Sequence, residues 1–386
     1  MKVIVFQNLP NTGFVDDITH LVSRSLRLST RTPGLYHQLS FELNRNLQLD
    51  FSIFQQYLGY RIVVFDELND VAWDGLIWSV EIAMGDHGLG PLDLEFIQNY
   101  CVVEYSDILE DGRYAQSSFV SDADSQARYG IKEQVLSYGQ FTSVAANNAV
   151  NRYLTNHKQP FVGGSLNIPV GGDNLSVRVT ALGYWATTRY RKFQSIVTTT
   201  LTVQNRIKEI VDRTVFPALP SSTYYLEFFS TDTGLIDGTN LTIARATTHV
   251  ETAGYYLERV VSLGDTSYNT WYIGAEHGEY HGQFPLGLPR VKVWQRPTAI
   301  EFVCDVLSGQ VMRPGGEIVS PLKIRAGNFV QIRGAVPQGA ILSTPLDQLQ
   351  GFILAETSYD AGTGVLRGTP EGTDLDVSII LARLQG

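Results

Sequence analysis

Apolar and polar residues alternate along much of this chain. Between positions 37 and 44, Leu39, Phe41 and Leu43 alternate with polar residues. A period of two puts successive side chains on opposite faces of a β-strand, so that one face enters a core. Such alternation, or a short apolar run between turn residues, predicts strands at 37–44, 60–65, 76–82, 100–103, 166–170, 175–181, 270–275, 290–294, 300–306, 329–332, 351–355 and 377–381.

The alternation also predicts which side chains share a core. In the segment 76–82, the apolar residues Leu76, Trp78, Val80 and Ile82 fall on one face of the strand. One barrel core is therefore expected to contain the side chains of Leu39, Phe41, Leu43, Val64 and Trp78.

Three segments have the spacing of an amphipathic helix instead. Residues 142–157 place apolar side chains at intervals of three and four, and residues 203–213 form a shorter candidate. Residues 250–263 carry the clearest apolar stripe. Thr248 and Glu251 have the spacing of a capping box, which predicts that this third helix begins near Thr248.

Many short strands with few helices indicate a mainly β protein, of the all-β or α+β class, built from small barrels or sandwiches. A length of 386 residues is typical of two or three domains. Changes in composition suggest three parts. We expect a β domain with one helix at 1–192, an α+β domain at 193–335, and a β segment of unassigned position at 336–386.

Composition narrows the possible functions. Apolar residues make up 44% of the chain and charged residues 18%, which is enough apolar material for cores and excludes a disordered chain. The net charge of −10 argues against tight binding to duplex DNA, which requires a basic surface. Two cysteines are too few for a scaffold built from disulfides.

The sequence contains no P-loop, no HExxH or GxSxG motif, and no dinucleotide-binding fingerprint. We therefore assign no catalytic or cofactor-binding residue and expect no cofactor and no enzymatic activity. The first residues lack the pattern of a signal peptide, and no apolar run approaches the ~18 residues of a membrane helix.

Two segments contain residue types that bind metal ions. In a strand, His277, Glu279 and His281 would share one face, and imidazole and carboxylate groups are zinc ligands. No fourth ligand is evident, and a solvated polar face is the alternative, so no metal site is assigned. The segment from Asp122 to Glu133 has the length and terminal acids of a calcium loop, but its sixth residue is Ala rather than Gly. A polar loop that leads into a strand is expected there.

Glycan chemistry would require either paired carboxylates or exposed aromatic rings. Two groups of acidic residues could supply paired carboxylates, although acidic surface loops are the common case. They are Asp107 with Glu110 and Asp111, and Asp374 with Asp376. Burial in cores or interfaces is the expected role of the aromatic pairs. These pairs are Tyr184 with Trp185 and Trp271 with Tyr272.

The remaining candidates have structural interpretations. Cys101 and Cys304 lie in apolar strands and are expected to be free, buried thiols. Arg189, Arg191 and Lys192 form the one local basic cluster of note. We expect these three side chains to lie over an aromatic surface or to pair across a subunit interface.

Seven segments occur in an order and spacing that are found together in one family. The segments are TPGLYHQLSFELNRNL, GYRIVVFDELNDVAWDGLIWSVEI, ARYGIKEQVLSYGQFTSVAANNAVNRYLTNHKQP, VTALGYWATTRYRKF, TTHVETAGYYLERVVSLGD, TWYIGAEHGEY and GGEIVSPLKIRAGNFVQIRG. Together they resemble the tail hub, or baseplate hub, proteins of siphophage-like bacteriophages. The resemblance covers residues 30–335 and does not extend to the last 50 or so.

The resemblance implies a structural protein of the virion tail, assembled in the host cytoplasm. Tail hubs form a ring that closes the tail tube, connects to the tail tip or receptor-binding parts, and lets DNA pass without specific binding. We expect tube-forming β domains and a homotrimer rather than a hexamer. The implied partners are further copies of this chain, the tail tube or distal tail protein, the tape-measure protein, and tail-tip or fibre proteins.

Two alternatives stay open at this point. The first is a distal tail protein of the same tail tip, which would be hexameric. The second belongs to a different class, a glycan-binding or glycan-degrading adsorption protein. A hub is expected to form rings and to hydrolyse nothing, whereas a glycan module binds or degrades polysaccharide as an isolated chain.

Overall fold

A computed structural model describes residues 1–7, 13–22, 25–43, 56–84, 87–161, 175–193, 199–212, 236, 241–244, 251–263, 271–276, 280–281, 284–285, 290–295, 301–305, 308–333 and 352–370. This part of the chain is mainly β with few helices, as predicted. Every predicted strand within these residues is present, whereas those at 166–170 and 377–381 lie outside them. The strands are β1 Lys2–Phe6, β2 Phe14–Asp17, β3 Arg27–Arg31, β4 Leu35–Leu43, β5 Arg61–Phe65, β6 Val71–Met84, β7 His87–Asp93, β8 Tyr100–Asp107, β9 Arg113–Gln116, β10 Val120–Ser121, β11 Glu133–Phe141, β12 Leu175–Leu182, β13 Leu201–Thr202, β14 Thr242–Ile243, β15 Trp271–Glu276, β16 Tyr280–His281, β17 Phe284–Pro285, β18 Arg290–Gln295, β19 Glu301–Asp305, β20 Gln310–Met312, β21 Ile318–Val319, β22 Phe329–Arg333, β23 Phe352–Asp360 and β24 Val365–Pro370.

Within the described residues, the three predicted helices are confirmed, and the helix at Ala123–Tyr129 was not foreseen. The α-helices are α1 Ala123–Tyr129, α2 Ser143–His157, α3 Val203–Asp212 and α4 Ala253–Ser262, and short 3₁₀ helices span Leu94–Phe96, Tyr184–Tyr190 and Pro321–Lys323. No helix in the described part of the chain is both long enough and apolar enough to span a membrane.

The ends of two helices correct the sequence analysis. Thr252, rather than Thr248, caps α4, because its side chain accepts a hydrogen bond from the backbone N–H of Tyr255. The polar loop expected after Asp122 is helix α1 instead. The Asp122 carboxylate accepts a hydrogen bond from the backbone N–H of Ser125 at 2.9 Å, which satisfies a free donor in the first turn.

One large sheet dominates the fold. Its order is β2-β1-β5-β6-β12-β4-β3-β23-β22-β19-β20-β21, with β7 paired to β6 and β24 paired to β23. Most neighbours are antiparallel, whereas β19 and β22 are parallel. No pairing among the described strands closes this sheet into a barrel, so the barrel stays a prediction.

Strand β23 lies between a strand from the start of the chain and a strand from its last third. It pairs antiparallel with β3, with Thr357 opposite Thr30, and also with β22. The side-chain oxygens of these two threonines are buried and 2.7 Å apart. Residues 352–370, in the segment whose position the sequence left unassigned, thus pair with strands from both the first and the last third of the chain.

The residues predicted to share one core are found together in the structure. One buried cluster in the large sheet contains all five of the expected side chains, namely Leu39, Phe41, Leu43, Val64 and Trp78. All five residues of the strand β5 are buried, and its apolar residues on both faces belong to this same cluster.

A bulge in β6 changes which of its residues share a face. In the register with β12, Ile77 and Ser79 lie opposite consecutive residues, so Trp78 is an extra residue. A bulge of this kind reverses the alternation beyond it. Ile77 and Trp78 therefore both pack in the main core, whereas Leu76 packs in a second core with α3 and α4. The prediction that Leu76 and Trp78 share a face is wrong.

A smaller four-stranded sheet lies beside the large one. Its order is β10-β8-β11, with β9 also paired to β8, and β11 runs parallel to β8. Helix α2 covers one face of this sheet. The core between them is formed by Cys101, Val103, Tyr105, Ala146, Val150 and Leu154.

Candidate ligand-binding groove

Helix α2 carries three stripes of side chains, each repeating every four residues. Thr142 caps the helix by accepting a hydrogen bond from the backbone N–H of Ala145 at 3.2 Å. Because 3.6 residues form one turn, residues four apart lie on one face. The first stripe is buried against β8 and consists of Ala146, Val150 and Leu154. The second is Ala145, Ala149, Tyr153 and His157, and the third is Asn148, Arg152 and Asn156.

The second and third stripes line a groove between α2 and the end of β11. Its volume is about 520 Å³, within the ~300–1,000 Å³ typical of small-molecule sites. Tyr138 and Phe141 line it from β11, with ring centroids 5.1 Å apart. Ala145 and Ala149 have small side chains and leave room between the two walls. Tyr138 is 42% exposed, so its ring is accessible to a ligand.

Tyr153 and His157 form a stacked pair on the helix side of the groove. Their ring centroids are 4.0 Å apart and their planes differ by 13°. The Tyr153 hydroxyl donates a hydrogen bond to the side-chain oxygen of Gln98. His157 Nδ1 lies 2.8 Å from the Tyr153 carbonyl oxygen. A carbonyl oxygen only accepts, so Nδ1 carries the proton, and both rings are held in fixed orientations.

The row of aromatic rings continues beyond the groove. Phe161 meets His157 edge to face, with ring centroids 6.3 Å apart. Phe96 lies 5.3 Å from Phe161, and both phenylalanines are exposed. The aromatic row therefore extends from the groove onto the surface of the protein.

The polar residues of the groove differ from their neighbours on the same helix. Asn147 accepts a hydrogen bond from the backbone N–H of Ser118 at 2.9 Å, and Asn151 donates one to the Asn147 carbonyl at 2.7 Å. The side chains of the third stripe make no hydrogen bond or ion pair with any residue that the structure describes. Amide and guanidinium groups in the groove are therefore available to a ligand.

The described lining of the groove consists of aromatic, amide, guanidinium and alanine side chains. Among the nine described residues that line it, none is Asp, Glu, Ser or Cys. Glycoside hydrolysis usually needs two carboxyl groups on either side of the bond, and acyl transfer needs a nucleophile with an adjacent base. The lining offers aromatic faces, amides and one guanidinium.

The metal-ligand candidates of the sequence analysis lie elsewhere. His277 and Glu279 fall outside the described residues, as does the side chain of His281. Within the described ranges, no group of three or more His, Cys, Asp or Glu side chains is placed to hold a metal ion.

The two acids of the calcium-like segment have separate cationic partners. Asp122 lies 2.9 Å from Lys158, whose hydrogen bond lowers the pKa of that carboxyl, helped by the Ser125 backbone N–H. Glu133 lies 3.3 Å from Arg191, and both side chains are almost fully buried. These carboxylates therefore stabilise the fold and do not converge on one cation.

The central residue of the basic cluster, Arg191, has an ion-pair partner within the chain. Arg191 pairs with Glu133 within the chain, whereas we expected it to lie over an aromatic surface or to pair across a subunit interface. The backbone N–H of Lys192 donates to the same carboxylate at 2.8 Å, whereas Arg189 is exposed. This contact joins the end of the Tyr184–Tyr190 helix to the start of β11.

The other candidates are structural where the structure describes them. Asp107 accepts a hydrogen bond from the backbone N–H of Leu109 in an exposed turn. Asp374 and Asp376 lie outside the described residues. Cys101 is a free, buried thiol and Cys304 is a free, half-buried one, both in strands as predicted.

The aromatic pairs are only partly described. Tyr184 is buried, and its hydroxyl donates a hydrogen bond to Asp74 at 2.8 Å. Trp185 packs against Gly34, where an added Cβ would lie 2.4 Å from the Trp185 Cβ. The side chains of Trp271 and Tyr272 fall outside the described residues.

The groove itself was not identified from the sequence, although a signal was present. Within the predicted helix at 142–157, Asn148, Arg152 and Asn156 repeat every four residues beside the small Ala145 and Ala149. A polar stripe next to a small-residue stripe is typical of a solvated helix face as well. Only the position of β11 turns that face into one wall of a groove.

Comparison of the sequence with protein-family models and with curated proteins finds no match.

Proposed function

We propose that this chain is a structural subunit of the tail of a long-tailed bacteriophage, the tail hub. The observation that carries the proposal is the order and spacing of the seven hub-like segments across residues 30–335. In this role, copies of the chain form a ring that closes the tail tube in the virion. The ring connects to tail-tip or receptor-binding parts, and DNA leaves through its lumen.

The position of the central hub-like segment in the fold supports a structural role. The segment GYRIVVFDELNDVAWDGLIWSVEI contains β5, all but the last two residues of β6, and the turn between them. The Asp66 carboxylate accepts hydrogen bonds from the backbone N–H groups of Leu68 and Asp70, which fixes that turn. This hairpin lies inside the large sheet, between β1 and β12.

The ends of the large sheet support assembly into a ring. Among the described strands, β2 pairs only with β1, and β21 pairs only with β20. Phe14 on β2 is 56% exposed and Ile318 on β21 is 58% exposed. The unpaired backbone groups of an edge strand are a template for pairing with another chain, and β2 offers four residues and β21 two. A ring formed through these edges covers both residues.

The charge supports passage of DNA without binding. A net charge of −10 repels the negatively charged phosphate groups of DNA. We propose a homotrimer, with the tail tube or distal tail protein, the tape-measure protein and tail-tip or fibre proteins as further partners. DNA is cargo in this proposal and not a specific ligand.

The test is the mass of the purified full chain by light scattering, with particle images from the same peak. Three copies in a ring with an axial opening is the expected result. A ring of six copies would contradict the hub and would favour the alternative, a distal tail protein of the same tail tip. A monomer that stays monomeric when mixed with tail tube and tape-measure proteins would contradict the proposal.

A further inference from the structure

We propose that the groove between α2 and β11 binds a short saccharide, and that it does so without cleaving it. This binding site is additional to the proposed ring function and does not depend on it. The inference rests on the residues of the groove alone, namely their shape, their ring faces and their unused hydrogen-bonding groups.

The aromatic rings supply the apolar half of saccharide recognition. A pyranose ring has flat faces of C–H groups, and such faces pack on aromatic π faces through burial and weak C–H contacts. Tyr138 and Phe141 on one wall, and the stacked Tyr153 and His157 on the other, border a groove of about 520 Å³. Because the stacking and hydrogen bonds of Tyr153 fix its orientation, that wall is ordered before a ligand arrives.

The third stripe of α2 supplies the polar half. Sugar hydroxyls both donate and accept hydrogen bonds, and a side-chain amide also does both. Asn148 and Asn156 lie two turns apart on the helix, with the guanidinium of Arg152 between them. None of these three side chains is engaged by another described residue. Hydroxyls along one edge of a saccharide would meet an amide, a guanidinium and a second amide in turn.

A single-stranded nucleic acid is the other ligand that stacks on aromatic rings. It also needs several cations to neutralise its phosphates. Arg152 and the neighbouring His157 are the only basic residues among the nine that line the groove, and the chain carries a net charge of −10. The balance of rings, amides and charge therefore favours a saccharide.

The groove binds without hydrolysis because its described lining contains no carboxyl group. The usual glycosidase mechanisms need one carboxyl as acid and a second as base or nucleophile. A bound saccharide is therefore released unchanged.

The experiment titrates the full chain with maltotriose, cellotriose and chitotriose, with a twelve-nucleotide oligothymidine as the comparison ligand, by calorimetry. We expect at least one trisaccharide to bind. Tyr138→Ala should weaken that binding by about tenfold or more, the loss expected for one stacked ring. Asn148→Ala should weaken it by about fivefold, the loss expected for one hydrogen-bonding group. Alanine favours helix more than asparagine does, so the second variant keeps α2 intact.

Two matched controls separate the groove from general surface effects. Asn151→Ala changes an exposed asparagine on the same helix outside the groove, and Tyr255→Ala removes an exposed tyrosine from α4. Both should bind the trisaccharide as the unchanged chain does, with unchanged melting temperatures for all four variants.

Each other outcome overturns the inference. If no trisaccharide binds, or if the groove variants bind as well as the controls, the groove is not a saccharide site. If oligothymidine binds and Tyr138→Ala abolishes that binding, the ligand class is wrong. The subunit count from light scattering is measured separately, so an intact ring without sugar binding contradicts only this inference.

Discussion

A buried ion pair is the most consequential polar contact at the scale of single residues. Arg61 and Asp74 are both fully buried, with Nε–Oδ1 and Nη2–Oδ2 distances of 3.0 and 2.6 Å. Tyr184 donates a third hydrogen bond to the same carboxylate. Charges inside a protein are tolerated when they are paired, and they become costly when one partner is removed.

Asp74→Ala is therefore expected to lower the free energy of unfolding by about 3–5 kcal/mol, because the Arg61 guanidinium stays buried without its carboxylate. Urea denaturation followed by circular dichroism measures this change. The matched control is Glu42→Ala, which removes an ion pair with Arg178 whose side chains are 40% and 56% exposed. That variant should lose about 0–1 kcal/mol. Equal losses in the two variants would contradict this account of the buried pair.

Trp78 tests the main core at the same scale. It is almost fully buried and stacks on Tyr190, with ring centroids 5.7 Å apart. Trp78→Ala should lower the free energy of unfolding by about 3–5 kcal/mol, because a large cavity replaces the ring. Phe14→Ala, which truncates an exposed ring, is the control and should change stability little in the isolated chain. Strong quenching of Trp78 fluorescence by iodide in the folded protein would contradict its assignment to the core.

A buried tyrosine hydroxyl and a buried thiol make the stability of the fold depend on pH above neutrality. Burial raises the pKa of Tyr36 from 10.0 to about 12, and that of Cys101 from 9.0 to about 12. Between the two values the folded chain keeps a proton that the unfolded chain releases, so stability falls as the pH rises. The loss should begin near pH 9 and continue to about pH 12. Melting temperatures across this range, with tyrosinate absorbance on the same samples, provide the measurement. Tyrosine ionisation complete well before unfolding would contradict the assignment of Tyr36.

At the scale of elements, the pairing of β23 with β3 contains a buried hydroxyl pair that can be tested. The Thr30 hydroxyl oxygen is 2.7 Å from that of Thr357 and also accepts a hydrogen bond from the backbone N–H of Ala326 at 2.9 Å. Thr357→Val keeps the shape and removes one hydroxyl. We expect a loss of about 1–3 kcal/mol in the free energy of unfolding, the usual penalty for a buried polar group that loses its partner. Thr363→Val, in the exposed turn after β23, is the control. A loss no larger than the control's would mean that the pair contributes nothing measurable.

The same strand shows what sequence patterns convey about elements and what they omit. The sequence pattern identified β4 and β5 because β4 buries alternate side chains and β5 buries a continuous apolar run. It also identified the start of β23 from a short apolar run, of which Leu354 is buried. It gave no partner for β23, since pairing with β3 depends on contacts between residues more than three hundred positions apart. The bulge at Trp78 was also invisible, because one inserted residue leaves the local composition of β6 unchanged.

At the scale of the whole molecule, the groove depends on two elements that were predicted with unequal success. The helix at 142–157 was identified from its spacing, whereas β11 was expected only as a strand of unassigned bounds after the loop at 122–133. Its outer half is exposed on both faces and shows no alternation of burial. Tyr138 and Asn148 are unremarkable surface residues in the sequence. They become two walls of one site only because β11 runs parallel to β8 and the following turn returns α2 across the sheet.

The proposed ring makes a final prediction about the edge of the large sheet. Ile318 lies on the edge strand β21 and is 58% exposed in the single chain. Lysine on an edge strand opposes pairing with a second chain, since its charge would have to be buried. Ile318→Lys should therefore shift the mass measured by light scattering from the ring towards one subunit, without lowering the melting temperature of the chain. Val144→Lys introduces the same charge at a site on α2 that is 68% exposed, and its ring should stay intact. If both variants assemble like the unchanged chain, subunits do not join through β21. A ring that persists would then have to use another surface, with the edge at β2 and its exposed Phe14 as the next candidate for the same substitution.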